Sequence, residues 1–248
     1  MEKHFYGWKK QPVDNRDFLY RSVLANLPAA PSSDLRSLCP PIYDQGQLGS
    51  CTANGLGAAV EFMINKEKLP DFMPSRLFIY WNERKIEGTT NQDSGANIRD
   101  GIKALADKGV CDETLWPYDI SKFKKKPSCK CYKQAVKNLV HQYEAVNTLN
   151  DYKVALSNGI IIPFGFTVYE SFESNDVANT GIVPVPKPSE QKLGGHCCDV
   201  VGHNDNKGWL ICRNSWNTTW GDKGYFYFPY DNFIACAVSD GWVITLVK

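Results

Sequence analysis

Tyr43-Asp44-Gln45-Gly46-Gln47-Leu48-Gly49-Ser50-Cys51-Thr52-Ala53-Asn54 is the stretch on which the reading of this chain turns. Gly46, Gly49 and their polar neighbours make a turn-rich approach to a single cysteine. From Cys51 to Glu67, residues Ala53, Leu56, Ala59/Val60 and Met63/Ile64 recur at three- and four-residue steps, which predicts a helix with one buried face. A thiol at a helix N-terminus meets unsatisfied backbone N–H groups and the positive end of the dipole, and both favour thiolate. Gly55 and Gly57 lower helix propensity, so close packing is expected to compensate. Taken alone, such a cysteine reads as a buried structural residue; the rest of the chain decides.

Composition narrows the choice. A formal net charge of +1 over 248 residues gives no electrostatic case for nucleic acid or a membrane surface. The length suits one large domain or a two-lobed one. No apolar run reaches about 18 residues, so no spanning helix is expected. The N-terminus lacks the apolar segment of a secretory signal, which favours an intracellular (cytoplasmic) or virion-associated protein over a secreted one. Nine cysteines without a signal are expected to be reduced. Cys129-Lys130-Cys131 and Cys197-Cys198 do not fall into paired C-x-x-C spacing, which argues against zinc. No metal or cofactor is expected.

Residues 1–26 read as an ordered polar and aromatic arm, and Leu27 to Pro41 as extended chain. After the Cys51 helix, Ser75 is placed to cap a second helix through Arg84, and Asn97 to Lys108 gives a third that Gly109 ends. The basic, turn-rich run 121–134 reads as a solvated loop crossing between lobes, without nucleic-acid binding. Beyond it come strand-like stretches at 135–140, 160–168, 199–201, 208–212, 224–228 and 242–247, with a short helix at 151–157. Helices first and strands after argue an α+β protein in two lobes.

Of the four histidines, His196 stands where a glycine-bearing loop, Leu193-Gly194-Gly195, enters an apolar strand. Asn214 follows another strand and precedes Trp216 and Trp220; it is a neutral amide able to orient an imidazole. His196 lies 145 residues after Cys51, and Asn214 a further 18. In papain-like enzymes His and Asn follow the Cys by about 130–150 residues; His196 fits, and Asn214 lies slightly beyond.

Gln45-to-Cys51, Gly195-His196 and Asn214-Ser215-Trp216-Asn217-Thr218-Thr219-Trp220-Gly221 together resemble the three active-site blocks of the papain-like (C1) cysteine peptidases, in a short microbial or viral form. Asp34-Leu35-Arg36, Trp116-Pro117-Tyr118 and Gly221-Asp222-Lys223-Gly224-Tyr225 are similar to further family motifs, and the likeness runs from about Leu27 to the C-terminus. The resemblance implies a two-lobed papain-like fold: a helical N-terminal lobe (27–130), a β-barrel-like C-terminal lobe (131–248), and the active-site cleft between them. It implies a thiol endopeptidase that acts on polypeptide substrates and works as a monomer. Cys51 would be the nucleophile, His196 the acid–base, Asn214 its orienter and Gln45 the oxyanion donor. Trp216 would shield the His196–Asn214 bond and help form the leaving-group side. Gly95 would bind substrate backbone, and Asn97 and Cys197 would lie near the pocket that sets preference. The resting pair would be thiolate and imidazolium.

The sequence also departs from the family's usual pattern. Thr52 and Asn54 replace its Trp and Phe, Leu48 stands at a disulfide position, and Asn217 stands where Gly is usual. The usual disulfides each lose an end. Residues 1–26 are too short for the usual helical prodomain, which leaves two expectations: an inhibitory arm with Tyr6, Trp8 or Phe18 in the cleft, as in a zymogen, or an arm on the surface elsewhere. A catalytically silent peptide-binding module and an acyl transferase or peptide ligase on the same fold remain alternatives.

Overall fold

A computed structural model describes residues 4–20 and 29–246. Helix α1 (Cys51–Glu67) is the axis of the molecule. The expected single buried face understates it: every residue from Cys51 to Ile64 is buried, because both lobes cover the helix. Its glycines permit that. A Cβ on Gly55 would lie 3.2 Å from both Asp199 Oδ1 and Cys197 Sγ, so the strand bearing His196 packs almost on the helix backbone.

Helices α2 (Arg76–Ile86) and α3 (Ile98–Lys108) pack beside α1. The Ser75 hydroxyl caps α2 by accepting from Phe78 N–H, and Gly109 ends α3 at φ +70°. The expected loop at 121–134 is corrected: Cys129–Ala135 is helix α4, whose buried Cys131 and Ala135 join the core of α1–α3. The strand expected at 135–140 accordingly starts later, as β2 (Val140–Val146), because Ala135 is spent in α4 and Asn138 carries the turn back to Val110. All nine cysteines are unpaired.

The second lobe is built on a five-stranded antiparallel sheet. Strand β1 is Ser32–Asp34, and helix α5 (Leu149–Ser157) precedes β3 (Ile162–Tyr169). Helix α6 (Asn175–Thr180), which the sequence reading did not foresee, leads to the long strand β4 (Lys192–Asn204). Strands β5 (Trp209–Arg213) and β6 (Tyr225–Pro229) follow β4; after the short helix α7 (Asn232–Ala235), β7 (Gly241–Leu246) returns to pair with β2. Strand β4 is the spine: it carries β3 along its first part and both β1 and β5 along its last. Phe164, Phe166, Phe226 and Phe228 fill the interior of this lobe. The result is an α+β, two-lobed fold, with α1 and β4 meeting where the lobes join.

Candidate active site

Cys51 opens α1, His196 sits on β4 opposite Phe166, and Asn214 directly follows β5. All three are buried. Asn214 Oδ1 accepts the Ser215 backbone N–H at 2.8 Å, so this atom must be the oxygen of the amide. His196 Nε2, 2.9 Å away, must therefore be the donor. That fixes the tautomer and leaves the Nδ1 lone pair free; Nδ1 makes no hydrogen bond of its own. Trp216 stacks on the imidazole, with centroids 4.8 Å apart and planes 26° apart, and seals the His196–Asn214 bond from water.

Gln45 is fixed by the same kind of argument. Its Oε1 accepts the Ser215 hydroxyl at 2.7 Å, so its amide N–H groups face the cleft, where they donate to the carbonyls of Leu48 and Phe5, each at 3.0 Å. Ser215 thus holds both the Asn214 and the Gln45 side-chain amides. The sequence reading passed over it, since nothing in its residue type distinguishes it from filler.

The Phe5 carbonyl belongs to the N-terminal arm, which runs through the cleft. His4 stacks on Trp216 at 3.7 Å with planes 3° apart. The Tyr6 hydroxyl donates to Glu173, and its ring meets His196 edge-on. Gly7 passes so close to Gly49 and Gly95 that a Cβ on Gly7 would fall onto the Gly49 carbonyl, and one on Gly95 onto the Gly7 carbonyl. Ala96 N–H donates to Gly7 O at 2.8 Å and Lys9 N–H to Ala96 O at 3.0 Å, while Trp8 N–H donates to Gly195 O at 2.9 Å. The Trp8 indole is buried against Gly165 and Gly195, and its N–H donates to Asp240 at 3.1 Å. Beyond it, Lys9 pairs with Glu87 at 2.6 Å, and Arg99 donates to Pro12 O at 2.8 Å and pairs with Asp17.

Of the two placements expected for the arm, the cleft is the one observed, with Tyr6 and Trp8 in it; Phe18 is instead 76% exposed. Gly95 does line the cleft, but the backbone ladder to the arm is carried by Ala96. Asn97 binds Glu87 rather than the arm, and Cys197 is buried beside Gly55.

With the arm in place, burial governs the electrostatics of the site. Burial pushes the Cys51 thiol up to about 11, against the pull of the Cys197, Gly7 and Thr52 backbone N–H groups. Burial, with His4 as a minor contributor, pushes His196 down to about 4, although the Asn214 bond acts the other way. Both shifts run against the expected thiolate–imidazolium pair in this closed state, because burial disfavours charge on either group.

Comparison with known proteins places this arrangement. Residues 29–246 match the model of the papain family cysteine proteases. The chain belongs to the papain family. Among the family's members, it is 46% identical over 213 residues to a peptidase C1-like protein of Acanthamoeba polyphaga mimivirus, covering 81% of this chain and 68% of that one. It superimposes on xylellain, a cysteine protease from Xylella fastidiosa, with a TM-score of 0.88 at 39% identity, covering 100% of this chain and 99% of the other. A digestive procathepsin L 3 of Tenebrio molitor shares the fold at TM-score 0.73 and 20% identity, covering 93% and 75%. As a papain-family protein, the chain is a cysteine-type peptidase.

Proposed function

We propose that this papain-family chain is a thiol endopeptidase acting through an acyl-enzyme on Cys51, and that residues 4–17 hold it latent by lying in the substrate cleft. One observation carries the reading: the Gln45 amide, poised for the oxygen of a tetrahedral intermediate, already donates to the Phe5 carbonyl. A substrate carbonyl and Phe5 compete for the same donor.

With the arm displaced, water reaches the pair and the burial that disfavours charge on both groups is relieved. His196 Nδ1 takes the Cys51 proton, and the thiolate attacks the scissile carbonyl. Gln45 and the Cys51 backbone N–H hold the oxyanion. Nδ1–H then passes its proton to the departing amine, and a water activated by the same nitrogen hydrolyses the thioester. Asn214 keeps Nε2 protonated throughout, so the reactive lone pair is always on the Cys51 side. The pocket vacated by Trp8, walled by Gly165 and Gly195 with Asp240 beyond, would receive a bulky side chain of the polypeptide.

An epoxysuccinyl thiol probe with peptide mapping tests both halves. Labelling is expected at Cys51 alone, lost in His196→Ala, and faster once residues 1–26 are removed. Equal labelling of the exposed Cys129 would sink the catalytic assignment; an unchanged rate on removing the arm would sink latency.

A further inference from the structure

Behind the nucleophile lies a carboxyl for which the reaction has no stated use. Glu83 of α2 is 0% exposed, as is Thr52, the residue after Cys51. The Thr52 hydroxyl donates to Glu83 Oε1 at 2.7 Å. Glu83 Oε2 has no hydrogen-bond partner, and α3 presses on it: a Cβ on Gly101 would lie 2.8 Å away. The adjacent cation does not compensate. The Arg84 guanidinium is committed to the carbonyls of Tyr80, Thr90, Gln92 and Phe123, at 2.6–3.0 Å.

We propose that Glu83 is a positioning residue for the nucleophile: as a neutral acid it accepts the Thr52 hydroxyl and fixes the first turn of α1, and with it the Cys51 thiol. This rests on Cys51 being the nucleophile. A buried carboxylate without a paired cation is far more costly than a neutral acid, which here leaves one O–H unbonded while its other oxygen accepts the Thr52 hydroxyl. Burial accordingly pushes Glu83 up to about 8; Glu87 and Asp100 raise it further, and Thr52 and Arg84 oppose. Burial is the main cause that raises Cys51 and, on β4, Cys197; ionised Glu83 adds a smaller push in the same direction at both. Glu83 therefore anchors the nucleophile below its own titration and opposes thiolate formation above it.

The test is the iodoacetamide alkylation rate of Cys51 in the full-length chain, mapped by mass spectrometry against pH. Every variant keeps the arm, so arm opening is common to all and cancels in ratios; the exposed Cys129 is the internal standard for folding. Thr52→Val, which leaves Glu83 without its donor, should slow Cys51 by about tenfold, and Thr52→Ser should restore it. Glu83→Gln keeps an acceptor for Thr52 but cannot ionise. It should match wild type near pH 6.5 and outpace it by about threefold or more near pH 9.5, where only the wild type carries the charge. A Glu83→Gln to wild-type ratio that stays flat with pH would overturn the proposal, as would Thr52→Val alkylating at the wild-type rate. Neither outcome depends on turnover. An error in the catalytic reading would appear separately, as peptidase activity surviving in Cys51→Ala.

Discussion

Trp8→Ala is the perturbation that most directly asks whether the arm closes the enzyme. The indole is 8% exposed, lies against Gly165 and Gly195, and donates to Asp240. Truncating a buried Trp or Phe in a core costs roughly 3–5 kcal/mol. A docked segment can relax more than a core, so about 3 kcal/mol is the better figure for the arm, in the range of interface hot spots. At 1.4 kcal/mol per decade, that shifts the ratio of open to closed molecules by roughly a hundredfold. If the wild type is closed almost all the time, its peptidase rate should rise nearly in proportion.

The assay is the initial rate of fluorogenic peptide hydrolysis by the full-length chain, run beside the Cys51 labelling rate. Trp8→Ala should raise both by at least about tenfold, allowing for residual anchoring by Lys9–Glu87 and Asp17–Arg99. Phe18→Ala is the control: that ring is 76% exposed and should change either rate by less than about twofold. Trp8→Ala that is folded, by circular dichroism, yet no faster than wild type in either assay would refute the reasoning.

Three further expectations follow from the same geometry. Gly165→Val puts a side chain where the Trp8 indole lies, on a strand residue without a positive φ; it should release the arm and speed Cys51 labelling by about tenfold, and labelling at the wild-type rate would contradict the packing. Ser215→Ala frees the Gln45 amide by removing a 2.7 Å bond; kcat should fall about tenfold with little change in KM, and a rise in KM alone would mean that Ser215 serves binding only. Asp199 is buried with both carboxyl oxygens unbonded and is pushed up to about 8 by burial, Arg213 opposing. The folded state therefore holds a proton that the unfolded state releases near pH 4, so stability falls as pH rises from about 4 to 8 and levels off above that. Asp199→Asn should flatten that slope, raising Tm near pH 7.5 and leaving it unchanged near pH 4; parallel Tm–pH curves would count against it.

Much of the fold was legible because its signals are local. Helix α1 begins and ends where the apolar period does, Ser75 caps α2, and Gly109 closes α3. Cys51 opens α1, His196 lies within β4 and Asn214 follows β5, so the regular elements of both lobes fix where the three residues stand. Asn217 stands where the family usually has Gly and takes φ +67°, a left-handed conformation that Asn tolerates better than most residues. Helix α4 was illegible for a physical reason: only Cys131 and Ala135 are buried, too few to show a period, and five lysines dominate residues 121–130 before Cys131. Ser215 and Asp240 gain their meaning only from partners far along the chain, Gln45 in one case and Trp8 in the other. The direction in which burial shifts Cys51 and His196 was beyond reach for the same reason: it comes from tertiary packing around the site, which no local pattern encodes.

The arm's own backbone suggests why, if it acts as proposed, it can lie in the cleft without being cut. Attack requires one peptide group to do two things at once: its oxygen must occupy the Gln45 donor, and its carbon must face the thiol. In the arm these functions fall on different residues. Gln45 donates to the carbonyl of Phe5, whereas the thiol has the backbone N–H of Gly7 beside it. The oxygen held by Gln45 belongs to the Phe5–Tyr6 peptide, one group earlier than the Tyr6–Gly7 peptide whose N–H lies beside the thiol, so no single peptide group meets both conditions. The ladder with Ala96 reinforces this offset, because Gly7 O and Lys9 N–H pair in parallel register about Trp8 and hold the chain from sliding by the residue that would align carbon with sulfur. Inhibition by occupancy and resistance to cleavage then have one cause, the register in which Trp8 and the Gly7–Ala96 bond lock the arm.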